Sequence, residues 1–279
     1  MIVTRKRTTR VRLFRKVVAL PQEHGTWAFL LSPLAIGLVA GGRWTTATTL
    51  LVVGVLVAFF FRQPVVILVK VLSGRKPRTL LPAALFWVGV YGLAGLGILW
   101  WFWAHGMGYL LYLAIPAVAV FLWHLYLVRH RAERGQRGVE IVASGTLALA
   151  APAALWVARG YPDPMGWLLW LLAWFQSAAS IVYAYVRLEQ RRWREWPPLK
   201  ERLRAGWRAL LYTTFNLVVV ALLGAFHVIS PWLWLAYAVQ WVETVWGVFR
   251  PAVGWRPTTI GFRQLFVSIL FTLVFILTW

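Results

Sequence analysis

Cysteine is absent from this chain of 279 residues, and acidic side chains are scarce. Without cysteine the protein has no disulfide bonds, thiolate nucleophiles or thiolate metal ligands. Asp163 is the only aspartate, so clustered aspartates for a magnesium–diphosphate site are excluded. A Ser-His-Asp arrangement is not expected either, because Asp163 falls in a predicted outer loop, away from the other candidate residues. The sequence also has no Walker loop, no glycine-rich dinucleotide fingerprint and no His-Glu-x-x-His motif. We therefore expect neither a metal site nor a cofactor.

Hydrophobic residues dominate what is present. They make up 61% of the chain, against 13% for charged residues, and the mean hydropathy is +0.68. A soluble domain is about 45–50% apolar and about 25% charged, so a soluble single-core protein is excluded. The apolar residues form nine runs near the length of about 20 residues that a membrane-spanning helix needs. The predicted spans are 25–42, 46–71, 80–103, 108–128, 138–158, 165–187, 207–229, 231–249 and 260–279.

The sequence thus predicts an all-α polytopic membrane protein in which residues 21–279 form one nine-helix domain after a basic arm, residues 1–20. Of the 29 Lys and Arg residues, all except Arg43 and Arg159 fall in connections on one side of these spans. Basic residues accumulate on the cytoplasmic side, so we expect a cytoplasmic N-terminus and an outer C-terminus in a bacterial inner membrane. No basic domain stands apart from the apolar segments, so the expected partners are membrane lipids and not nucleic acids.

Polar residues inside the predicted spans are informative because they are costly in a bilayer. Most of them fall in the cytoplasmic half, which predicts a polar cavity open to the cytoplasm and closed at its outer end. The candidate substrate-binding residues are Arg62, Gln63, Lys70, Gln176, Tyr183, Arg187, Tyr212, Asn216, Gln240 and Arg263. The candidate catalytic residues are Glu23, His24, His124, Glu140 and Glu243.

A structural role for these residues is an open alternative. Polar side chains often join transmembrane helices by hydrogen bonds, at about 0.6 kcal/mol per contact. Glu243 and Glu140 are each expected to pair with Arg208, Arg263 or Arg137 if they are structural, since such a pair satisfies both members.

The functional interpretation predicts convergence on one cavity. Its expected walls are His24, Arg62, His124, Tyr183, Arg187, Asn216 and Glu243. Arg62 and Arg187 would contact an anionic head group, because a guanidinium binds phosphate oxygens in a bidentate manner. A hydrocarbon tail would lie in the dry outer half, against Phe59, Phe60, Leu172 and Val219.

Two prolines mark uncertain helix ends. Arg62-Gln63-Pro64 interrupts the second span, which predicts a kink, a re-entrant turn or an interfacial helix there. Ser230-Pro231 separates the seventh and eighth spans, and Pro231 is expected to start the eighth.

The segment that leads into the first span carries a family resemblance. Pro21-Gln22-Glu23-His24-Gly25-Thr26-Trp27-Ala28, followed by Leu31-Ser32-Pro33, resembles the opening of bacterial YwiC-like membrane proteins. Further similarities are Arg62-Gln63-Pro64, residues 145–152, Tyr185-Val186-Arg187, Arg256-Pro257 and Ile260-Gly261. The resemblance runs from about Pro21 to the end of the chain, and it implies a bacterial membrane protein without implying a particular activity.

The predicted architecture is more distantly similar to the UbiA prenyltransferase superfamily. That similarity implies a lipid-modifying enzyme with Asp-rich motifs after the second and sixth helices. Here those places read Arg62-Gln63-Pro64 up to Lys70, and Tyr183 to Arg191, so cations replace the carboxylates. The leading hypothesis is accordingly a UbiA-like or degenerate enzyme that binds an anionic or isoprenoid lipid without magnesium. The alternatives are a small anion or metabolite transporter, and a non-catalytic assembly partner of a membrane complex.

Overall fold

The structure is a computed structural model that describes residues 13–21, 24–132 and 135–279, with His24 described by its backbone alone. The described residues form α-helices and short 3₁₀ turns, and no strand occurs among them. The helices are α1 (Lys16–Ala19), α2 (His24–Gly41), α3 (Thr46–Leu72), α4 (Leu81–Ala104), α5 (Leu111–Arg129), α6 (Arg137–Ala148), α7 (Ala150–Arg159), α8 (Met165–Gln190), α9 (Leu199–Ala225), α10 (Trp234–Phe249) and α11 (Pro257–Thr278).

The prediction of a polytopic all-α membrane protein is confirmed. Within the described part of the chain, seven helical segments are long and apolar enough to cross a membrane. They are Thr46–Leu72, Arg78–Ala104, Gly108–Arg129, Arg137–Arg159, Met165–Gln190, Leu199–Ala225 and Pro257–Thr278. The remaining predicted spans correspond to α2 and α10, which are shorter, so length and apolarity support seven spans and not the predicted nine.

Helix α7 forms the centre of the bundle. Every residue from Ala150 to Ala158 is buried, and α2, α3 and α8 pack around this alanine-rich segment. The backbones of α2 and α7 approach so closely that a Cβ on Gly37 would lie 2.2 Å from the carbonyl oxygen of Ala151. Small residues permit this distance, as they do at many helix contacts in membranes.

The predicted fifth span is divided into α6 and α7 at Leu149. Pro152 explains the division, because proline lacks the N–H that would bond the carbonyl of Ala148 and its ring crowds that carbonyl. Tryptophans of α8 bond carbonyls just before the break: Trp170 Nε1 donates to Gly145 O and Trp174 Nε1 to Ile141 O, both at 2.8 Å.

Helix α3 continues through Pro64 without a break, so two of the three predicted alternatives at Arg62-Gln63-Pro64, a re-entrant turn and a separate interfacial helix, are wrong. One missing backbone hydrogen bond is tolerated here, because leaving the helix would leave further polar backbone groups without partners in a bilayer. Arg62, Gln63 and Lys70 therefore lie on one continuous helix.

The connection between α9 and α10 also differs from its prediction. Helix α9 begins at Leu199 and ends at Ala225, whereas the predicted span was 207–229. Pro231 lies in a turn three residues before α10 begins at Trp234, so it does not start that helix. The turn packs against α9 at Gly224, where an added Cβ would be 3.1 Å from Pro231 Cα.

The described end of the predicted basic arm packs against the bundle. Val18 of α1 is fully buried, and three backbone carbonyls of the segment accept hydrogen bonds from α3 and α4. The donors are Gln63 Nε2 to Val17 O, Trp87 Nε1 to Leu13 O and Tyr91 Oη to Ala19 O, at 3.0 to 3.2 Å. The rest of the arm, residues 1–12, lies outside the described residues.

Candidate functional site

A polar cavity of about 500 Å³ lies at one end of the bundle. This end, called here the basic end, contains the start of α2 and α6 and the final turns of α3, α5 and α8. The polar and charged residues among the described walls are Thr26, Arg62, Gln63, Lys70, Lys76, His124, Glu140 and Ser144. The cavity therefore combines three cations with one carboxylate among its described walls.

Helix α3 supplies the cationic wall. Arg62, Val66 and Lys70 recur every four residues, so they share one face of this continuous helix. The turn after α3 adds Lys76, and the guanidinium of Arg75 fixes this turn by donating to the carbonyl oxygen of Val128 at the end of α5. The cations are thus held on a helix and on a turn that is tied to a second helix.

Helix α6 supplies the wall with hydrogen-bond acceptors. The hydroxyl of Tyr185 donates to Glu140 Oε1 at 2.7 Å, and the guanidinium carbon of Arg137 lies 5.0 Å from the centre of the Tyr185 ring. Ser144 donates its hydroxyl proton to the carbonyl oxygen of Ile141 at 2.8 Å. The Ser144 oxygen keeps its capacity to accept a hydrogen bond, since a hydroxyl has two acceptor lone pairs.

An apolar groove of about 400 Å³ adjoins the polar cavity. Its walls come from α3, α5 and the α6–α7 segment, and four residues belong to both spaces: Arg62, His124, Ala143 and Leu147. Along α5 the groove runs from His124 to Leu113, which is about 16 Å at the helical rise of 1.5 Å per residue. Polar and apolar spaces thus meet at Arg62 and His124.

A second polar cluster joins α8, α10 and α11 in the interior. The carboxylate of Glu243 accepts hydrogen bonds from Arg263 Nε and Nη2, at 2.7 and 2.8 Å, and from the hydroxyl of Tyr183 at 2.8 Å. Arg263 also lies over the Trp246 ring, 3.8 Å from its centre. The structural expectation of Glu–Arg pairing is confirmed for Glu243, with Arg263 as its partner.

Arg187 is 1% exposed and holds the end of α10. Its Nη1 lies within 2.9 Å of Gln190 Oε1 and of the carbonyl oxygens of Gly247 and Arg250. The Trp255 ring centre is 4.8 Å from its guanidinium carbon. Protein groups thus surround this guanidinium.

Other predicted binding residues make similar contacts between helices. Gln176 Nε2 donates to Gln240 Oε1 at 3.1 Å, and Asn216 Nδ2 donates to the carbonyl oxygen of Phe175 at 2.8 Å. Tyr212 is 40% exposed on α9 and belongs neither to this cluster nor to the walls of the cavity.

The structure therefore divides the predicted site residues into two groups. Arg62, Gln63, Lys70, His124 and Glu140 line the polar cavity. Gln176, Tyr183, Arg187, Asn216, Gln240, Glu243 and Arg263 form contacts between helices and are not among the residues that line it. Glu23 and the side chain of His24 lie outside the described residues. The expectation of one shared cavity is corrected accordingly.

The four residues expected to contact a tail do not line one space, since Phe60, Leu172 and Val219 are walls of neither the cavity nor the groove. Phe59 lines the apolar groove, whereas Leu172 is fully buried in the core. Most groove walls are alanine, valine and leucine residues, which no sequence signal had distinguished from ordinary lipid-facing positions. Lys76 and Ser144 also line the cavity, although neither is among the candidate residues predicted from the sequence.

Comparison with known proteins shows that one family model matches the part of the chain that forms the cavity and the groove. The sequence model of the YwiC-like protein family matches residues 20–155, and every described wall of the two spaces except Ile181 lies in this range. A protein of Bacillus subtilis (strain 168), described only as the uncharacterized protein YwiC, is 26% identical over 216 residues. That alignment covers 71% of this chain and 83% of the relative.

The resemblance predicted from the opening motif is confirmed, because the YwiC-like family model matches residues 20–155 and the relative aligns with 71% of the chain. No solved structure matches the chain. The architectural similarity to the UbiA superfamily stays a prediction.

Proposed function

We propose that this membrane protein binds a single-chain lipid with a phosphate-containing head group. The head group occupies the polar cavity and contacts Arg62 and Lys70, and the tail occupies the apolar groove. The observation that carries this proposal is that the two spaces adjoin and share Arg62 and His124 as walls. A small soluble anion would leave the apolar groove empty, and a hydrocarbon without a head group would make no charged contact with the cations.

The dimensions of the groove support a hydrocarbon occupant. Its length of about 16 Å along α5 is roughly half of the 30 Å hydrocarbon core of a bilayer. Ligand sites commonly combine apolar walls with a few placed polar groups that fix orientation, as these two spaces do together. Acyl and isoprenyl chains both suit walls of this composition.

We also propose that α2 and α10 cross the membrane, which gives nine crossings. They have 18 and 16 residues, about 27 and 24 Å; α2 packs against α7 and α11, and α10 packs against α9 and α11. Nine crossings would put the two termini on opposite sides, and the excess of basic residues at the cavity end supports a cytoplasmic position for that end in a bacterial inner membrane. A reporter fused after Trp279 should then report the outer side, and a cytoplasmic signal from that fusion would refute nine crossings.

The binding proposal is tested by thermal unfolding of the purified, delipidated protein in detergent with EDTA. Lysophosphatidate and farnesyl phosphate serve as probes, and inorganic phosphate serves as the soluble arm. We expect both lipids to raise the unfolding temperature at concentrations where inorganic phosphate does not.

Two matched variants locate the site. Arg62→Gln removes a cavity cation, and we expect it to weaken lipid binding about tenfold or more, since a hydrogen bond to a charged group contributes about 1.5–3 kcal/mol. Arg204→Gln removes an exposed cation of α9 outside the cavity, and we expect no change. Equal losses in both variants, or stabilisation that needs a divalent ion, would overturn the proposal.

A further inference from the structure

We propose that the head group is zwitterionic, with its phosphate against α3 and an ammonium group against Glu140 of α6. The inference rests on the proposed lipid-binding function and assigns the chemical class of its ligand as a phosphoethanolamine lipid. It follows from the way in which donors and acceptors are divided between the two walls of the cavity.

The α3 side offers donors. The side chains of Arg62, Lys70 and Lys76 are cations that can donate hydrogen bonds but contain no acceptor atom, and all three line the cavity. Gln63 is also on this wall, but its Nε2 already donates to the carbonyl oxygen of Val17 in α1 at 3.0 Å. A phosphate is the natural partner of such a wall, since charge-assisted hydrogen bonds to its oxygens are short and strong.

The α6 side offers acceptors. Glu140 is exposed to the cavity, and Tyr185 donates to its Oε1 at 2.7 Å, which fixes the carboxylate without neutralising it. Its Oε2 has no hydrogen-bond partner among the residues that the structure describes. Ser144 lines the cavity although it is 2% exposed, and because its only proton is directed to the carbonyl of Ile141, its oxygen is available to a ligand only as an acceptor.

These two walls conflict with a head group that carries phosphate alone. A phosphate held by α3 in this cavity would share the space with the Glu140 carboxylate, and like charges that are close together repel. An ammonium group linked to the phosphate removes the conflict, because it donates up to three hydrogen bonds to Glu140 and Ser144. The same ligand then satisfies both walls.

The test measures dissociation constants by native mass spectrometry of the full-length protein in detergent. Lysophosphatidylethanolamine and lysophosphatidate with the same acyl chain are compared, and O-phosphorylethanolamine is the tail-free arm. For the unchanged protein we expect the ethanolamine lipid to bind about tenfold more tightly than the phosphatidate, which is the effect of one charged hydrogen bond.

The variant Glu140→Gln should reverse this preference. It removes the charge but keeps an amide oxygen that Tyr185 can reach, so we expect weaker binding of the ethanolamine lipid and tighter binding of lysophosphatidate. Glu201→Gln removes an exposed carboxylate of α9 that does not line the cavity, and it should leave both constants unchanged.

The outcomes separate the two proposals. If both lipids bind equally before and after Glu140→Gln, the zwitterionic head group is refuted while lipid binding stands. If neither lipid binds, the proposed function fails. If O-phosphorylethanolamine binds as tightly as the lipid, the ligand is a water-soluble compound without a tail, and the proposed role of the groove is refuted.

Discussion

Arg263 and Glu243 form a bidentate ion pair that joins α11 to α10 inside the bundle. The carboxylate is only 8% exposed and also accepts a hydrogen bond from Tyr183 of α8, so three helices meet at one charged group. Burying a carboxylate is costly unless it is paired and hydrogen-bonded, and here both conditions hold. The arrangement explains why polar residues on these helices need not be ligands.

Removing one member of this pair should destabilise the protein. Arg263→Met leaves the Glu243 charge buried without its main partner, and we expect a loss of about 2–3 kcal/mol in the free energy of unfolding. This value is below the range for fully buried pairs, because the Arg263 side chain is 36% exposed.

The double variant Arg263→Met/Glu243→Leu provides the control, since it removes both charges together. Its loss should be smaller than the sum of the two single losses when unfolding is followed in detergent. Strictly additive losses would show that the two side chains are not coupled.

Gly247 tests how closely α10 approaches α8. A Cβ at this position would lie 1.9 Å from the Tyr183 hydroxyl oxygen, so Gly247→Ala forces the tyrosine away from Glu243. We expect a lower unfolding temperature, although alanine is the better helix former by about 1 kcal/mol. Gly261→Ala on α11 meets no atom within 4 Å and should be neutral or stabilising. A stabilising Gly247→Ala would contradict the described packing.

The helix spans could be predicted from the sequence, while some of their ends could not. Long apolar runs between charged turns place α3, α4, α5 and α8 almost directly, because a bilayer demands such runs. The early start of α9 at Leu199 escaped detection, since its first turns are basic and look like a loop. The break at Leu149 depends on Pro152 and on packing around α7, which periodicity does not report.

The candidate site could be predicted only in part, for a related reason. Arg62, Lys70 and Glu140 were found because charged residues near helix ends are conspicuous. Arg187 and Glu243 have the same residue types at similar depths, and only the three-dimensional contacts show that Arg187 Nη1 bonds protein carbonyls and that Glu243 is paired with Arg263. The groove is lined mostly by alanine, valine and leucine residues, and the sequence does not separate these walls from residues that face lipid.

Asp163 should make the connection between α7 and α8 sensitive to acid. Its carboxylate accepts a hydrogen bond from the Met165 backbone N–H at 2.7 Å and pairs with Arg159, and these contacts hold the pKa of Asp163 below its usual range. A lowered folded-state pKa stabilises the protein above the ordinary pKa, and this contribution is lost as pH falls toward the folded value.

The measurement is unfolding temperature as a function of pH. We expect the unchanged protein to lose part of its stability below about pH 4, the ordinary range of an aspartate, and Asp163→Asn to lack this part of the profile. Glu201→Gln removes an exposed carboxylate on α9, and this variant should still lose stability below about pH 4 as the unchanged protein does. Identical profiles for the unchanged protein and Asp163→Asn would refute the role of this carboxylate.

The apolar groove can be closed without touching the cations. Ala117 of α5 lines the groove, and Ala119 of the same helix is exposed and does not. Ala117→Phe should fill space that the tail needs and weaken the binding of lysophosphatidate about tenfold, which corresponds to about two methylene groups displaced from apolar contact. Ala119→Phe adds the same ring toward lipid and should leave the dissociation constant unchanged. Equal affinities for the two variants would mean that the tail lies elsewhere, because only one of these rings occupies the groove.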